Sequence, residues 1–490
     1  MSFNSYFFVL VFFPVAIIGY HMMNKLGRGR FGKWFLLLMS LWFYGYAGLR
    51  GLFTIAISIV INYGLYLLYS KVKFKRTLMI LGVILNILAL IYFKYLFFLE
   101  VTLYELTGTQ LTYTSLIVPL GISFITFSQI SFLVDSYKDA IDGNAEKVSF
   151  TDYALYVLFF PKVTVGPIAL SKDFIKEINK ASEIGVDWDN ISKGLYAFTL
   201  GLTKKVLIAD SLAHYADWGF SNVEGLGTLN ALIVMVSYTM QIYFDFSGFC
   251  DMALGISKML NINIPINFNS PYRALSIGEF WDRWHITLTK FFTKYVYIPL
   301  GGNRKGKVRT YVNILIVFLV SGIWHGAAVT FIIWGLMHGI ASCIDRVISP
   351  YAEKLPKAIR WFVTFLFVNV AWVFFRATDV ENALMLLKEL VSFKFTPVNV
   401  ELVAKATPKG YELVQWLVVE FTKIQAYYSG LPIILAILIF AIFAGIKMKN
   451  TNERIENFKP SSKTVLVTVI LFVWCVISLS EVSTFIYVNF

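Results

Sequence analysis

Apolar runs close to membrane-spanning length recur from one end of the chain to the other. They cover residues 5–24, 34–48, 52–70, 77–99, 115–137 and 150–170, then 192–212, 229–258, 311–323, 325–344, 360–375, 430–447 and 463–482. Several are short or broken by polar residues, which predicts re-entrant or interfacial segments, and the pattern as a whole predicts roughly eleven transmembrane helices. The first run has no basic stretch before it and no small-residue cleavage site after it, so it is expected to be a retained span and not a signal peptide. Residues 279–310 differ: aromatics alternate with Lys and Arg, as in a helix lying at the membrane surface. Residues 381–393 predict a second interfacial helix. No repeat or low-complexity linker divides the chain, so the expected architecture is all-α and polytopic, with one integrated membrane domain over 1–490.

Composition agrees with that pattern. Hydrophobic residues make up 57% of the 490 and charged ones only 15%, against roughly 25% charged in soluble domains. This excludes a secreted enzyme, a nucleic-acid-binding domain and a disordered scaffold. The net charge of +13 is then read as basic loops facing anionic lipid headgroups, not as a nucleic-acid footprint. Lys25, Arg28, Arg30 and Lys33 lie between the first two spans, and Lys71, Lys73, Lys75 and Arg76 between the third and fourth. The 100–114 loop carries Glu100 and Glu105 and no Lys or Arg. The expected orientation is N-terminus outside, with 25–33, 71–76 and 138–149 inside. Cys250, Cys343 and Cys475 stand singly in apolar surroundings, without metal-ligand spacing, so neither a disulfide framework nor a metal site is expected.

Ionisable groups inside apolar segments are expensive and tend to mark function. One cluster runs from Gln241 through Tyr243, Asp245 and Ser247 to Asp251. Its two carboxylates are six residues apart, about 120° around an unbroken helix. They read as separate anchors for backbone or basic partners, with a direct chemical role as the alternative. A second cluster, Glu279 to His285, leads into Gly301-Gly302-Asn303-Arg304-Lys305-Gly306. Between Arg283 and Ile344 there is no Asp or Glu, while Arg283, Lys290, Lys294, Arg304, Lys305, Lys307 and Arg309 supply one sign of charge. Such a patch attracts a phosphate-bearing ligand: a lipid headgroup, a nucleotide-linked donor or a phosphopantetheine arm. Inside-positive anchoring is the plainer reading. The third cluster is Ser321 to Ala327, followed by Trp334 to Gly339. A buried, neutral His325 could accept a proton, and Gly326 would let a substrate approach the backbone. There is no G-x-S-x-G elbow and no H-E-x-x-H helix. A base without a protein nucleophile points to direct transfer onto a hydroxyl. His338 lies about 140° from His325 on an unbroken helix and is expected to be structural.

These motifs resemble those of the membrane-bound O-acyltransferase family, and within it the bacterial alginate O-acetyltransferase membrane subunits and their relatives in exopolysaccharide and cell-wall acetylation. The likeness rests on Pro119–Phe124, Phe160–Pro167, Tyr243–Asp251, Phe268–Tyr272, Glu279–His285, Tyr297–Gly306, Trp324–Gly326 and the tail Phe485–Phe490, in order along nearly the whole chain. The teichoic-acid D-alanylation branch shares the motifs around His285 and His325; the Gly301–Gly306 turn favours the alginate-type branch. Asp282 departs from the pattern, which has Arg there.

The resemblance implies a ring of helices around a tunnel, His325 as the essential histidine and general base, and His285 as the second polar position. It implies substrate contacts at Trp324, Gly326, Arg283, Trp284, Asn303, Arg304, Lys305, Tyr243, Asp245 and Ser247. It implies no metal and no permanently bound cofactor. The donor would be acetyl-CoA or an acyl-carrier thioester, entering from the cytoplasm across a bacterial plasma membrane. The acyl group would pass outward, to an extracytoplasmic SGNH or esterase-like acetyltransferase partner acting on a polysaccharide. D-alanyl transfer to teichoic acid is one alternative. Another is a proton-coupled transporter or flippase using Asp135, Asp245, Asp251 and the histidines. A non-catalytic scaffold is the third.

Overall fold

The computed structural model describes residues 1–27, 29–108, 118–144, 146–396, 411–422 and 430–479. The tail Phe485–Phe490 therefore lies outside the described residues. Those described form helices joined by turns, with no strand among them. Among the described residues, seven helices are long and apolar enough to cross a membrane: Phe8–Gly27, Leu49–Leu68, Lys75–Thr107, Gly227–Met259, Lys307–His325, Val329–Ala352 and Lys357–Arg376. Pro432–Ile446 and Ser462–Ile477 are apolar but shorter. The expectation of eleven spans is thus not reached among the described residues. Several apolar runs fold instead as helices too short to cross, such as Phe150–Leu158, followed by buried non-helical chain.

The chain divides into two compact units, each discontinuous in sequence. The first comprises Met1–Phe198 and Met252–Pro265. Its core is aromatic: Phe12 packs on Phe43 and Phe160 with ring centroids 5.7 and 5.2 Å away. A turn at 159–166 is wholly buried without being helical. Backbone polar groups at such depth need internal partners. Ser40 supplies one, its Oγ accepting from the Phe160 N–H at 3.2 Å. Gly121 sits against this turn at φ +67°, where a Cβ would fall 2.4 Å from the Val163 carbonyl. An ion pair of 2.9 Å joins Lys33 to Asp152, so the ends of the 25–33 and 138–149 loops lie on one side of this unit.

The second unit comprises Thr199–Asp251 and Ile266–Phe490. Of the helix Gly227–Met259, the part as far as Asp251 belongs to this unit and is mostly buried. A π-helical turn, Lys204–Ala209, presents two consecutive lysines toward it. Lys204 pairs with Asp251 at 2.6 Å, and Lys205 with Asp245 at 2.5 Å and Asp210 at 2.9 Å. The two carboxylates of the first sequence cluster thus each meet their own lysine. The helices Lys307–His325 and Val329–Ala352 form a tight hairpin. A Cβ on Gly322 would stand 2.4 Å from the Phe331 carbonyl, and one on Gly335 2.5 Å from that of Phe318. Small residues let these backbones touch.

One expected element is corrected here. Residues 279–310 are not a single surface helix. They form Ile277–Arg283, then Ile286–Phe292 with a π-helical extension Thr293–Tyr297, then a turn to Gly306. The break falls at Trp284 and His285, where His285 takes a left-handed φ of +44°. The helix expected at 381–393 is Val380–Leu390, capped by the Asp379 carboxylate, which accepts from the Asn382 N–H at 2.8 Å.

Candidate active site

All elements of the site lie in the second unit. His325 is the last residue of the helix Lys307–His325 and is 3% exposed. Its ring stands in an aromatic box: Trp324 at 4.8 Å, Trp334 at 5.0 Å and Phe375 at 5.2 Å, each edge-on. The chain leaves the helix at Gly326 and re-enters one at Val329. The break puts His325 and His338 into the same aromatic cluster, because Trp334 packs on both, 5.1 Å from His338. His338 is fully buried. Its Nδ1 accepts from the Trp281 Nε1–H at 3.2 Å. An indole N–H is only a donor, so a neutral His338 ring carries its own proton on Nε2.

His285 is also fully buried, with its ring edge-on to Phe246 at 4.8 Å. Its left-handed backbone is uncommon for a residue with a side chain. The surrounding chain fixes it. The Ile286 N–H donates to the Asn267 carbonyl at 3.0 Å, and the Thr287 hydroxyl to Asn267 Oδ1 at 2.6 Å. On the other flank the Asn269 N–H donates to the Arg283 carbonyl at 3.0 Å. The preceding helix is held by a reciprocal cap. Ser276 Oγ accepts from the Glu279 N–H at 3.2 Å, and Glu279 Oε2 from the Leu275 N–H at 2.8 Å. A relay of rings links the two histidines' surroundings: Trp284, beside His285, packs on Trp372 at 4.9 Å, Trp372 on Trp334 at 5.9 Å, and Trp334 on His325.

A cavity of about 710 Å³ opens beside this cluster. Its walls include Trp281, Phe292, Tyr297, Phe318 and Ser321, with Asp282, Asp345 and Arg346 among its polar lining. Ser321 is one helical turn before His325; His325 itself does not line the cavity.

The sequence-selected residues fall into distinct places. Trp324, Gly326, Trp284, His285 and His325 are buried around the aromatic cluster. The rationale for Gly326 changes: a Cβ there would come 2.1 Å from the Phe331 ring, so packing fills the space assigned to an approaching substrate. Arg283 is engaged by Glu279 at 2.9 Å and by the Asn269 carbonyl at 3.0 Å. Asn303, Arg304 and Lys305 lie exposed on the turn before Lys307–His325. Tyr243 packs against Tyr272 at 5.2 Å, Asp245 is ion-paired to Lys205, and Ser247 is buried. Sequence reading put Trp281 and Trp334 inside its clusters without giving them a role, and it missed Trp372 and Asn267. The capping pattern Ser276-x-x-Glu279 signals a helix ending near His285, but no local signal pairs Trp281 with His338, 57 residues away.

The pattern of the membrane-bound O-acyltransferase family matches residues 35–384. Over the full chain and 98% of that protein's length, the sequence is 37% identical to "Peptidoglycan O-acetyltransferase" of Helicobacter pylori. It is 35% identical to "Probable alginate O-acetylase AlgI" of Pseudomonas aeruginosa, over 80% of the chain and 75% of that protein. "Teichoic acid D-alanyltransferase" of Bacillus subtilis is 28% identical over 50% of the chain. With a family match across most of its length and relatives this similar, the chain belongs to the membrane-bound O-acyltransferase family and is a multi-pass membrane acyltransferase.

Proposed function

We propose that this acyltransferase carries an acetyl group from a cytoplasmic thioester donor, acetyl-CoA or an acyl carrier, toward O-acetylation of a cell-wall polysaccharide, with His325 as general base. The observation that carries the reading is the seat of His325: a buried imidazole at a helix end, boxed by Trp324, Trp334 and Phe375, one turn beyond the Ser321 wall of a large cavity. The cavity's lining combines aromatic rings with Asp282, Asp345 and Arg346, which suits the arm of a thioester donor. In the step, His325 takes the proton from an acceptor hydroxyl as its oxygen attacks the thioester carbonyl. The carbon–sulfur bond breaks and the leaving thiolate regains the proton. The acceptor is a sugar hydroxyl, or a hydroxyl of an extracytoplasmic transferase that then modifies the polymer. The protein sits in the bacterial plasma membrane with its N-terminus outside, the orientation its basic loops support.

Acetyl is favoured over D-alanyl because the relatives spanning most of this chain are named for O-acetylation, whereas a D-alanyl transferase aligns with 50% of it. Peptidoglycan is the favoured acceptor class, since the relative of that name aligns from end to end. The test is labelled-acetyl transfer in membranes containing wild-type or His325→Gln protein, with folding checked by elution profile. Glutamine keeps size and a hydrogen bond but removes the base, and turnover is expected to fall about 10²–10⁴-fold. Full turnover in the folded variant overturns the assignment. Solute flux coupled to protons, without acyl turnover, would install the transporter instead.

A further inference from the structure

A groove of about 460 Å³ runs between the helices Val329–Ala352 and Lys357–Arg376 and shares Asp345 with the donor cavity. Its walls are apolar: Met337, Ile340, Ile344 and Ile348 from one helix, Val363 and Phe367 from the other. Ile340, Ile344 and Val363 are each more than half exposed. In a bilayer such a face is covered by acyl chains and not by water. One group does not fit a bulk hydrocarbon surface. Arg360 lines the groove, its Nε is buried, and among the described residues that atom meets no acceptor and the guanidinium no carboxylate. The acid that shares the groove, Asp345, is engaged elsewhere: its Oδ2 accepts from the Gly278 N–H at 2.9 Å.

We propose that this groove holds one anionic phospholipid, its phosphate on Arg360 and an acyl chain along the isoleucine wall. A half-buried guanidinium whose Nε meets no acceptor is costly in an apolar setting, and its planar fork matches phosphate oxygens. The charge around it has one dominant sign. Lys354 and Lys357 flank the helix start, Glu353 is the lone acid between residues 352 and 360, and the N-terminus of the 20-residue helix Lys357–Arg376 adds its positive dipole end. Basic loops of this kind face the cytoplasm, so the lipid belongs to the inner leaflet. Its chain would end at Phe367, whose ring packs 5.2 Å from His338. The lipid thereby braces the two helices behind the aromatic cluster.

The site is tested with the full-length protein in detergent, titrated with phosphatidylglycerol or phosphatidylcholine and read by native mass spectrometry. The wild type is expected to retain one phosphatidylglycerol in preference to phosphatidylcholine. Arg360→Gln should weaken phosphatidylglycerol about tenfold, the loss of one charge-assisted contact, and phosphatidylcholine less, because choline already offsets that lipid's phosphate charge. Ile344→Trp, which fills the groove, should lower occupancy by both lipids. Equal retention of the two lipids by the wild type overturns the proposal, as does unchanged phosphatidylglycerol binding in folded Arg360→Gln. If that variant does not fold, Ile344→Trp decides: unchanged occupancy leaves Arg360 merely reaching toward water. Acyl transfer enters none of these readouts, so the result is independent of the proposed reaction.

Discussion

At the scale of the residue, the two histidines are placed by different means. His325 ends a helix and is enclosed by rings; His285 is a left-handed hinge pinned by Asn267 and Asn269. If His325 is the base and His285 only positions, His285→Asn should retain part of the activity that His325→Gln loses, measured as labelled-acetyl transfer. Gly326 gives a sharper test of packing. Gly326→Ala forces its Cβ against Phe331, and overpacking should cost about 1–3 kcal/mol. Phe331→Leu in the same chain should recover much of the lost melting temperature. No recovery would return Gly326 to the role of a substrate approach. The exposed pair Arg304 and Lys305 is tested kinetically. If they contact donor phosphates, alanine at either position should raise the donor KM about tenfold while kcat changes less, because such contacts are uniform binding. A collapse of kcat at unchanged KM removes them from donor binding.

At the scale of the element, buried charge organises the second unit. The π-turn Lys204–Ala209 aims two successive lysines at two aspartates of one long helix, six residues apart. An α-helical turn would spread neighbouring side chains about 100° apart, and the locally wider turn is where the two lysines occur. Thr451 also donates to the Asp251 carboxylate, tying in the short helix Thr451–Glu456. Such pairs are structural if removing one partner is worse than removing both. Asp245→Asn should cost less than the roughly 3–5 kcal/mol of a fully orphaned buried charge, because Asp210 still pairs with Lys205. Lys205→Met with Asp245→Leu should melt closer to wild type, as read by thermal unfolding in detergent. If Asp245→Asn and the double variant are both stable but catalytically dead, Asp245 acts on substrate after all. The ion pairing also bears on the proton-path alternative, since Asp245 and Asp251 are already matched to lysines.

At the scale of the whole molecule, the orientation implied by the basic loops is open to direct measurement. In a variant with its native cysteines replaced, Glu105→Cys should react with an impermeant maleimide in intact cells and Lys73→Cys should not. The reverse pattern would invert the protein and put donor entry on the wrong side. Gly29 is a poor probe site, as a Cβ there would meet the Ser182 carbonyl at 2.4 Å. Hydropathy by itself determined the membrane class and the helical fold, because a bilayer admits only helices and closed barrels, and long uniformly apolar runs lack the alternation of barrel strands. Motif likeness was enough to single out His325 and His285, since Trp324-His325-Gly326 and Phe280–His285 are local strings. The number of spans was not legible, because apolar composition is the same for a crossing helix and for a short helix followed by a buried turn such as 159–166. Nor was the break at His285, which depends on hydrogen bonds from Asn267 and Asn269, or the function of Gly326, which depends on where Phe331 falls. Trp281 meeting His338, Lys205 meeting Asp245, and Arg360 left facing an apolar groove are decided only when distant helices pack. Such contacts follow from which faces of the helices meet, and hydropathy along one chain carries no record of that pairing.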